Sequence, residues 1–140
     1  MQLNAYLSFN GNCEEAFKFY ERVLGGKIVA LFPHEGTPAA SHVPPEWLKK
    51  IMHARLTIGE SVLMGSDVPP GQFKQPHGFS INIGVSTAAE AERIFSALAE
   101  NATVHMPLGE TFWAERFGML TDRFGIPWMV NCERAGATAA

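Results

Sequence analysis

The sequence has few of the features that mark disulfide-rich, membrane-spanning or nucleic-acid-binding proteins. Its two cysteines, Cys13 and Cys132, form no CxxC pair and indicate free thiols. No apolar run approaches the roughly 18 residues of a transmembrane helix. Eleven basic residues against 14 acidic ones give a net charge of -3 and no basic stripe, so we expect neither a nucleic-acid nor a membrane partner. The first residues lack a basic region followed by an apolar stretch, which predicts a cytoplasmic protein without a signal peptide.

The two halves of the sequence have the same order of predicted secondary-structure elements. With 46% hydrophobic residues, the chain can form one domain, 1–140, with a real core. The pattern predicts a strand, a helix, a strand and a hairpin in each half: 3–9, 12–26, 27–32 and 51–67, then 78–85, 87–100, 101–108 and 115–131. The expected fold is therefore α+β, with two βαβββ modules at about 1–67 and 78–133 and a flexible tail at 134–140.

Both predicted helices carry start signals. Asn12 with Glu15, and Thr87 with Glu90, have the spacing of a capping box. Gly25 and Gly26 supply the expected end of the first helix. A sheet with its helix on one face leaves the other face free. We expect the eight strands to form a curved sheet with the helices outside and a concave trough inside, which is a default ligand site.

The chain resembles the vicinal-oxygen-chelate superfamily, which includes glyoxalase I, extradiol dioxygenases, and fosfomycin and bleomycin resistance proteins. The closer resemblance is to its PhnB-like branch, through segments that span nearly the whole chain: LNAYLSFNGNCEEAFKFYERVLGGKI, KIMHARLTIGESVLMGSD and AERIFSALAENATVHMPLGETFWAERFGMLTDRFGIPWMVN. The resemblance implies a glyoxalase-like fold and a homodimer. Part of the branch is called demethylubiquinone methyltransferase, but the chain has no glycine-rich strand-to-helix turn for a nucleotide-like cofactor.

Enzymes of the superfamily hold a divalent metal with side chains from the first and last strands of each module. Aligned on those strands, this chain has Asn4 and Ser80 at the first-strand positions and Met64 and Met129 at the last-strand positions. A shift of two residues reaches Tyr6 and Asn82 among others, and none is a histidine or a carboxylate. Since hard and borderline cations need nitrogen or oxygen donors, we expect no metal site of the family type and no cofactor.

The trough is instead expected to bind a small molecule. Its candidate ligand-binding residues supply hydrogen-bond donors, acceptors, one cation, aromatic rings and adaptable thioethers: Asn4, Tyr6, Ser8, His53, Arg55, Met64, Ser80, Asn82, Phe112, Trp113, Phe117 and Met129. Arg55 could hold a carboxylate or phosphonate through its planar fork, or could pair with an acidic side chain. The aromatic cluster Phe112, Trp113 and Phe117 could form a pocket wall or lid, or the core of a dimer interface.

Other residues suggest chemistry less directly. Cys13 falls in the first turn of a predicted helix, where the helix dipole favours a thiolate. Glu110, Glu115 and Asp122 are the candidate general bases, and Asp122 also has the position of a turn-initiating residue.

Three functions remain open from the sequence. The first is a metal-independent binding protein for a small molecule, as in the sequestering antibiotic-resistance members. The second is a metal-dependent lyase, isomerase or dioxygenase of the glyoxalase kind. The third is a dimeric interaction protein whose trough is filled by its own side chains. Whether the chain is an enzyme is not decided, because a fold does not fix a function.

Overall fold

A computed structural model describes residues 1–135, and the chain divides into two compact units, Met1–Gln75 and Pro76–Ala140. Most of the expected tail at 134–140 lies outside the described residues. Its first residue, Arg134, is held in place, since its backbone N–H donates to Trp113 O over 3.3 Å and its Nη2 to Thr111 O over 2.7 Å.

The first unit contains one helix and a four-stranded mixed sheet, which we call sheet A. The strands and the helix follow the order β1 (Ala5–Phe9), α1 (Cys13–Leu24), β2 (Lys27–Pro33), β3 (Ile51–Ile58) and β4 (Ser61–Asp67). Two short 3₁₀ turns lie between β2 and β3, at Pro38–His42 and Pro45–Trp47. The strand order in space is β1-β4-β3-β2; β1 is parallel to β4, and the other neighbours are antiparallel.

The second unit repeats this arrangement in sheet B. Its order along the chain is β5 (Ile81–Val85), α2 (Ala88–Leu98), β6 (Thr103–Gly109), β7 (Ala114–Thr121) and β8 (Pro127–Glu133). In space the strands run β5-β8-β7-β6, again with one parallel pair at the β5 edge. The predicted α+β fold with two βαβββ modules is confirmed.

The two helices begin differently, and one prediction is wrong. Asn12 precedes α1 but makes no capping hydrogen bond with its side chain. The Asp67 carboxylate at the end of β4 takes that place, accepting from the backbone N–H groups of Gly11 and Cys13 over 2.8 and 3.0 Å. A residue 54 positions away is invisible to a local capping motif. Thr87 does cap α2, accepting from the Glu90 N–H over 3.1 Å as predicted.

Each helix covers one face of its own sheet. Buried α1 residues, including Phe17 and Tyr20, pack over the sheet A side chains that alternate inward, such as Leu7 and Leu56. In sheet B the inward residues of β8 are Trp128, Val130 and Cys132, all at most 1% exposed. Trp128 therefore lies in the core of the second unit. The residues between these inward positions point to the face opposite the helix, where the candidate sites lie.

Within residues 1–135 no helix is long and apolar enough to cross a membrane.

Candidate functional site

Five of the predicted ligand-binding residues lie together on the face of sheet A opposite α1, which we call face A. Tyr6 and Arg55 both pair in register with Met64, from the two strands that flank β4. His53 and Ser8 lie two residues further along β3 and β1 on the same face. Phe32, which the sequence analysis missed, pairs with His53 and is 52% exposed. The alternation of β2 could have indicated it.

Arg55 is the only cation among these face A residues. It is half-buried, and its Nη1 lies 3.8 Å from the Met64 sulfur. The ion pairs found within residues 1–135 join other side chains, and none includes Arg55. The acidic partner considered from the sequence is therefore not present in the described part of the chain. A half-buried guanidinium in this position can accept an anionic ligand through its planar donors.

Tyr6 and His53 form a polar pair beside Arg55. The Tyr6 hydroxyl lies 3.1 Å from His53 Nδ1, and the two rings stack with centroids 5.8 Å apart. Tyr6 is 50% exposed, so its ring also offers an apolar surface. Face A thus combines one cation, one hydroxyl–imidazole pair and two exposed aromatic rings.

Three further predicted residues, Asn82, Phe117 and Met129, lie on the face of sheet B opposite α2, which we call face B. Asn82 pairs in register with Met129, and Met129 pairs with Met119. A depression of about 490 Å³ is lined by Ser80, Met119, Met129, His105 and Thr121 among others. His105 Nε2 lies 2.8 Å from the Thr121 hydroxyl oxygen. Met119 and His105 were missed by the sequence analysis. The hairpin register that places Met129 on face B also places Met119 there, so that signal was available.

A second depression on sheet B contains an unsatisfied amide. Asn82, Asn131 and Glu90 line a space of about 590 Å³. The Asn131 Oδ1 atom is buried and has no hydrogen-bond partner within the described residues. Since a buried acceptor without a partner costs about 1–3 kcal/mol, this oxygen can accept from a ligand donor.

The chain matches a known protein family over nearly its whole length. The profile of a family described as 3-demethylubiquinone-9 3-methyltransferase matches residues 1–131. YjdN of Escherichia coli K12 is 36% identical over 141 residues, covering 94% of this chain and 95% of that protein. The chain belongs to this PhnB-like family.

Solved structures share the fold of this chain. Protein PA1353 from Pseudomonas aeruginosa is 52% identical with a TM-score of 0.87, over 95% of this chain and 98% of that one. The PhnB protein from Bacillus cereus, a putative 3-demethylubiquinone-9 3-methyltransferase, is 24% identical with a TM-score of 0.79, over 94% and 99%. A glyoxylase/bleomycin resistance protein/dioxygenase domain from Frankia sp. EAN1pec shares the fold, at 12% identity and a TM-score of 0.67, over 96% and 98%.

Register corrects the positions assigned to Asn4 and Ser80 in this PhnB-like chain. Both were expected on the first strand of their module, but β1 starts at Ala5 and β5 at Ile81. The register would set Ser80 against Pro127, which has no N–H to extend the ladder. Asn4 is exposed and precedes β1. The residues opposite Met64 and Met129 are therefore Tyr6 and Asn82.

The divalent metal that the superfamily resemblance implies does not fit these residues. The register positions supply a phenol, an amide and two thioethers, and no carboxylate or imidazole. Within the described chain, no group of three or more His, Cys, Asp or Glu side chains could hold a metal ion.

The aromatic cluster is present, although its role stays a prediction. Phe112 and Trp113 meet edge to face with centroids 4.9 Å apart, and Trp113 and Phe117 do so at 5.4 Å. Phe112 is 91% exposed. Phe117 pairs with Asn131 and so lies on face B. A trough that combines the residues of both modules also stays a prediction.

The surroundings of Cys13, Asp122 and Glu110 do not favour the chemical roles considered for them. Burial, then the Asp67 and Glu14 carboxylates, raise the pKa of the Cys13 thiol far above its ordinary value, so the thiolate suggested by the helix position is disfavoured. Asp122 is buried and accepts from the N–H groups of Phe124 and Ile126, which confirms it as a turn residue and leaves it inaccessible as a base. Glu110 pairs with Arg134 over 2.6 Å, and this pairing lowers the pKa of Glu110 and weakens it as a base.

Proposed function

We propose that this PhnB-like protein binds a small amphipathic anion, a carboxylate or phosphonate with an aromatic or apolar body, on face A. The observation that carries the proposal is Arg55, a half-buried cation that pairs with none of the acidic side chains in residues 1–135. A partly buried charge is costly without a counter-charge, so a site of this kind favours an anion.

The neighbours of Arg55 support the amphipathic character of the ligand. Tyr6 and Phe32 expose about half of their surface on the same face and can pack against an apolar ring. The Tyr6–His53 pair supplies a polar contact next to the guanidinium. Met64, in contact with Arg55, is flexible and can adapt to the shape of a ligand.

Oligomeric state and cellular location are two further parts of the proposal. We propose that the protein is a cytoplasmic homodimer, as the family resemblance and the sequence pattern suggest. Light scattering on the purified protein should give twice the mass of one chain, and a monomeric mass would contradict this part. The exposed Phe112 is the residue whose substitution by serine tests the aromatic cluster as an interface.

Binding is tested with matched pairs of probes. Benzoate and phenylphosphonate should stabilise the protein in thermal unfolding, whereas benzamide, uncharged and of similar shape, should not. Arg55→Gln should weaken binding of both anions at least ten-fold, because a charge-assisted hydrogen bond contributes about 1.5–3 kcal/mol. Lys74→Gln removes an exposed positive charge from a loop and should leave the affinity unchanged.

Two results would contradict the proposal. Equal binding of the anions to wild type and Arg55→Gln would show that Arg55 does not contact the ligand. Absence of any binding of benzoate or phenylphosphonate would show that the protein does not bind this class of anion. The metal-dependent alternative is tested separately by mass spectrometric metal analysis of the purified protein. One Ni, Zn, Mn or Fe atom per chain would favour that alternative, a lyase, isomerase or dioxygenase.

A further inference from the structure

Three of the six methionines of the chain form one row across sheet B. Met106 on β6 pairs in register with Met119 on β7, and Met119 pairs with Met129 on β8. Side chains of directly paired residues on one face have Cβ atoms about 4.5–5.5 Å apart. The three methionine side chains are therefore neighbours in register on face B, and Met119 and Met129 line one depression. Met106 is 42% exposed, which leaves the row open to solvent at the β6 edge.

An imidazole lies beside this row. The register of β6 and β7 shifts between Val104 and Met106, so His105 is the extra residue of a bulge. Its Nε2 lies 2.8 Å from the Thr121 hydroxyl oxygen, which leaves Nδ1 for another partner. His105, Met119 and Met129 line the same depression of about 490 Å³. His77 lines it too, and the lining includes no carboxylate.

We propose that Met106, Met119, Met129 and His105 form a binding site for a soft monovalent cation. In the cell this cation is Cu(I). Thioether sulfur is a soft donor that selects Cu(I), and imidazole binds copper well. The same donor set disfavours Mg²⁺, Mn²⁺ and Ca²⁺, which require oxygen ligands. The site uses unit 2 residues alone and is independent of anion binding at Arg55.

The other sulfur atoms of the chain provide contrast. Cys132 is fully buried and lies on the α2 side of β8, on the opposite side of the strand from Met129. Cys13 is fully buried in the first unit. Met52 and Met64 are on sheet A, where no run of three paired methionines exists among the described strands. Within residues 1–135, the sheet B row is the one place where paired strands bring several methionines together.

The test uses Ag(I), a soft monovalent cation that does not change oxidation state during the titration. Silver nitrate is titrated, in chloride-free buffer, into protein labelled with ¹³C on the methionine methyl groups. We expect saturation at one Ag(I) per chain, with shifts of the Met106, Met119 and Met129 signals and none of Met52 or Met64. Zinc nitrate should leave all of these signals in place.

Variants separate this site from other sources of silver binding. Met119→Leu/Met129→Leu conserves volume and should abolish the response of the remaining Met106 signal. Met52→Leu is the matched control, and His105→Gln should weaken binding at least ten-fold. Arg55→Gln should leave the silver response intact, so failure of the anion proposal would not affect this result.

Three outcomes would overturn the proposal. These are the absence of any methionine shift, equal shifts of the sheet A and sheet B methionines, and a Met119→Leu/Met129→Leu variant that binds as much silver as the wild type. The last result would place the ion on the thiols. A folded ¹³C spectrum for each variant confirms that a lost response is not a lost fold.

Discussion

The Asp67 carboxylate lies at the start of α1 and accepts a hydrogen bond from the Cys13 backbone N–H over 3.0 Å. The same oxygen accepts from Gly11 N–H, and the second oxygen accepts from Ile51 N–H over 2.8 Å. One buried side chain at the end of β4 therefore connects the start of a helix with the start of β3. A negative charge there also complements the positive end of the helix dipole.

Replacing this carboxylate should be costly. Asp67→Asn keeps the size but places an NH₂ donor against backbone N–H groups, so at least one buried donor loses its acceptor. We expect a loss of about 2–3 kcal/mol in the free energy of unfolding, measured by urea denaturation. Asn12→Ala is the matched control, because Asn12 makes no capping bond with its side chain, and it should cost less than about 0.5 kcal/mol. A larger cost for Asn12→Ala than for Asp67→Asn would contradict this account.

A second carboxylate organises the turn between β7 and β8. Asp122 accepts from Phe124 N–H, Ile126 N–H and the Trp128 indole Nε1, the last over 2.8 Å. Asp122→Ala removes the acceptor oxygens of all three donors and should destabilise the protein by about 2–4 kcal/mol in the same assay. Glu60→Ala, in the exposed turn between β3 and β4, should be nearly neutral. If Asp122→Ala and Glu60→Ala lowered the free energy of unfolding equally, the hydrogen bonds of Asp122 would contribute no more stability than an exposed turn residue.

Gly65 of β4 lies directly against the Phe17 ring of α1. A Cβ atom there would lie 2.8 Å from both Leu7 O and Phe17 Cε1. Since one of these atoms is backbone and the other belongs to a buried ring, neither can move freely. Gly65→Ala should cost about 1–3 kcal/mol in thermal or urea unfolding. Gly84→Ala, in a strand with nothing within 4 Å of the new atom, should be neutral or slightly stabilising. A neutral Gly65→Ala would mean that α1 packs more loosely than described.

Local sequence patterns predicted the modules but not the contacts that connect distant segments. Periodicity, Gly25 and the Thr87 cap were enough for both helices, and strand alternation was enough to place Arg55 and Met64 on one face. Asp67 was missed because its partners are far away in sequence. Ser80 was misplaced because the end of a parallel ladder depends on the partner strand, which here begins with Pro127. The Met106–Met119–Met129 row was missed because the bulge at His105 changes the register of β6.

The buried Cys13 thiol leads to a prediction on pH. Burial and two nearby carboxylates raise its pKa above the ordinary value of 9.0, so the folded state retains the neutral thiol. This contribution to stability is complete below pH 9.0 and is lost as the pH rises above that value, where the unfolded chain ionises first. From about pH 9 to about pH 10, wild type should lose on the order of 1 kcal/mol more free energy of unfolding than Cys13→Ala.

Thiol reactivity offers an independent check of the same burial. Cys13 and Cys132 are both 0% exposed, so neither should react with a thiol-specific disulfide reagent near pH 8 until the chain unfolds. In denaturant, both should react at the rate of a free cysteine. Rapid reaction of native Cys13 would support the thiolate that its position at the start of α1 suggested. It would also contradict the burial on which the predicted pH dependence rests. Cys13→Ala assigns any fast phase, since the phase that disappears in this variant belongs to Cys13.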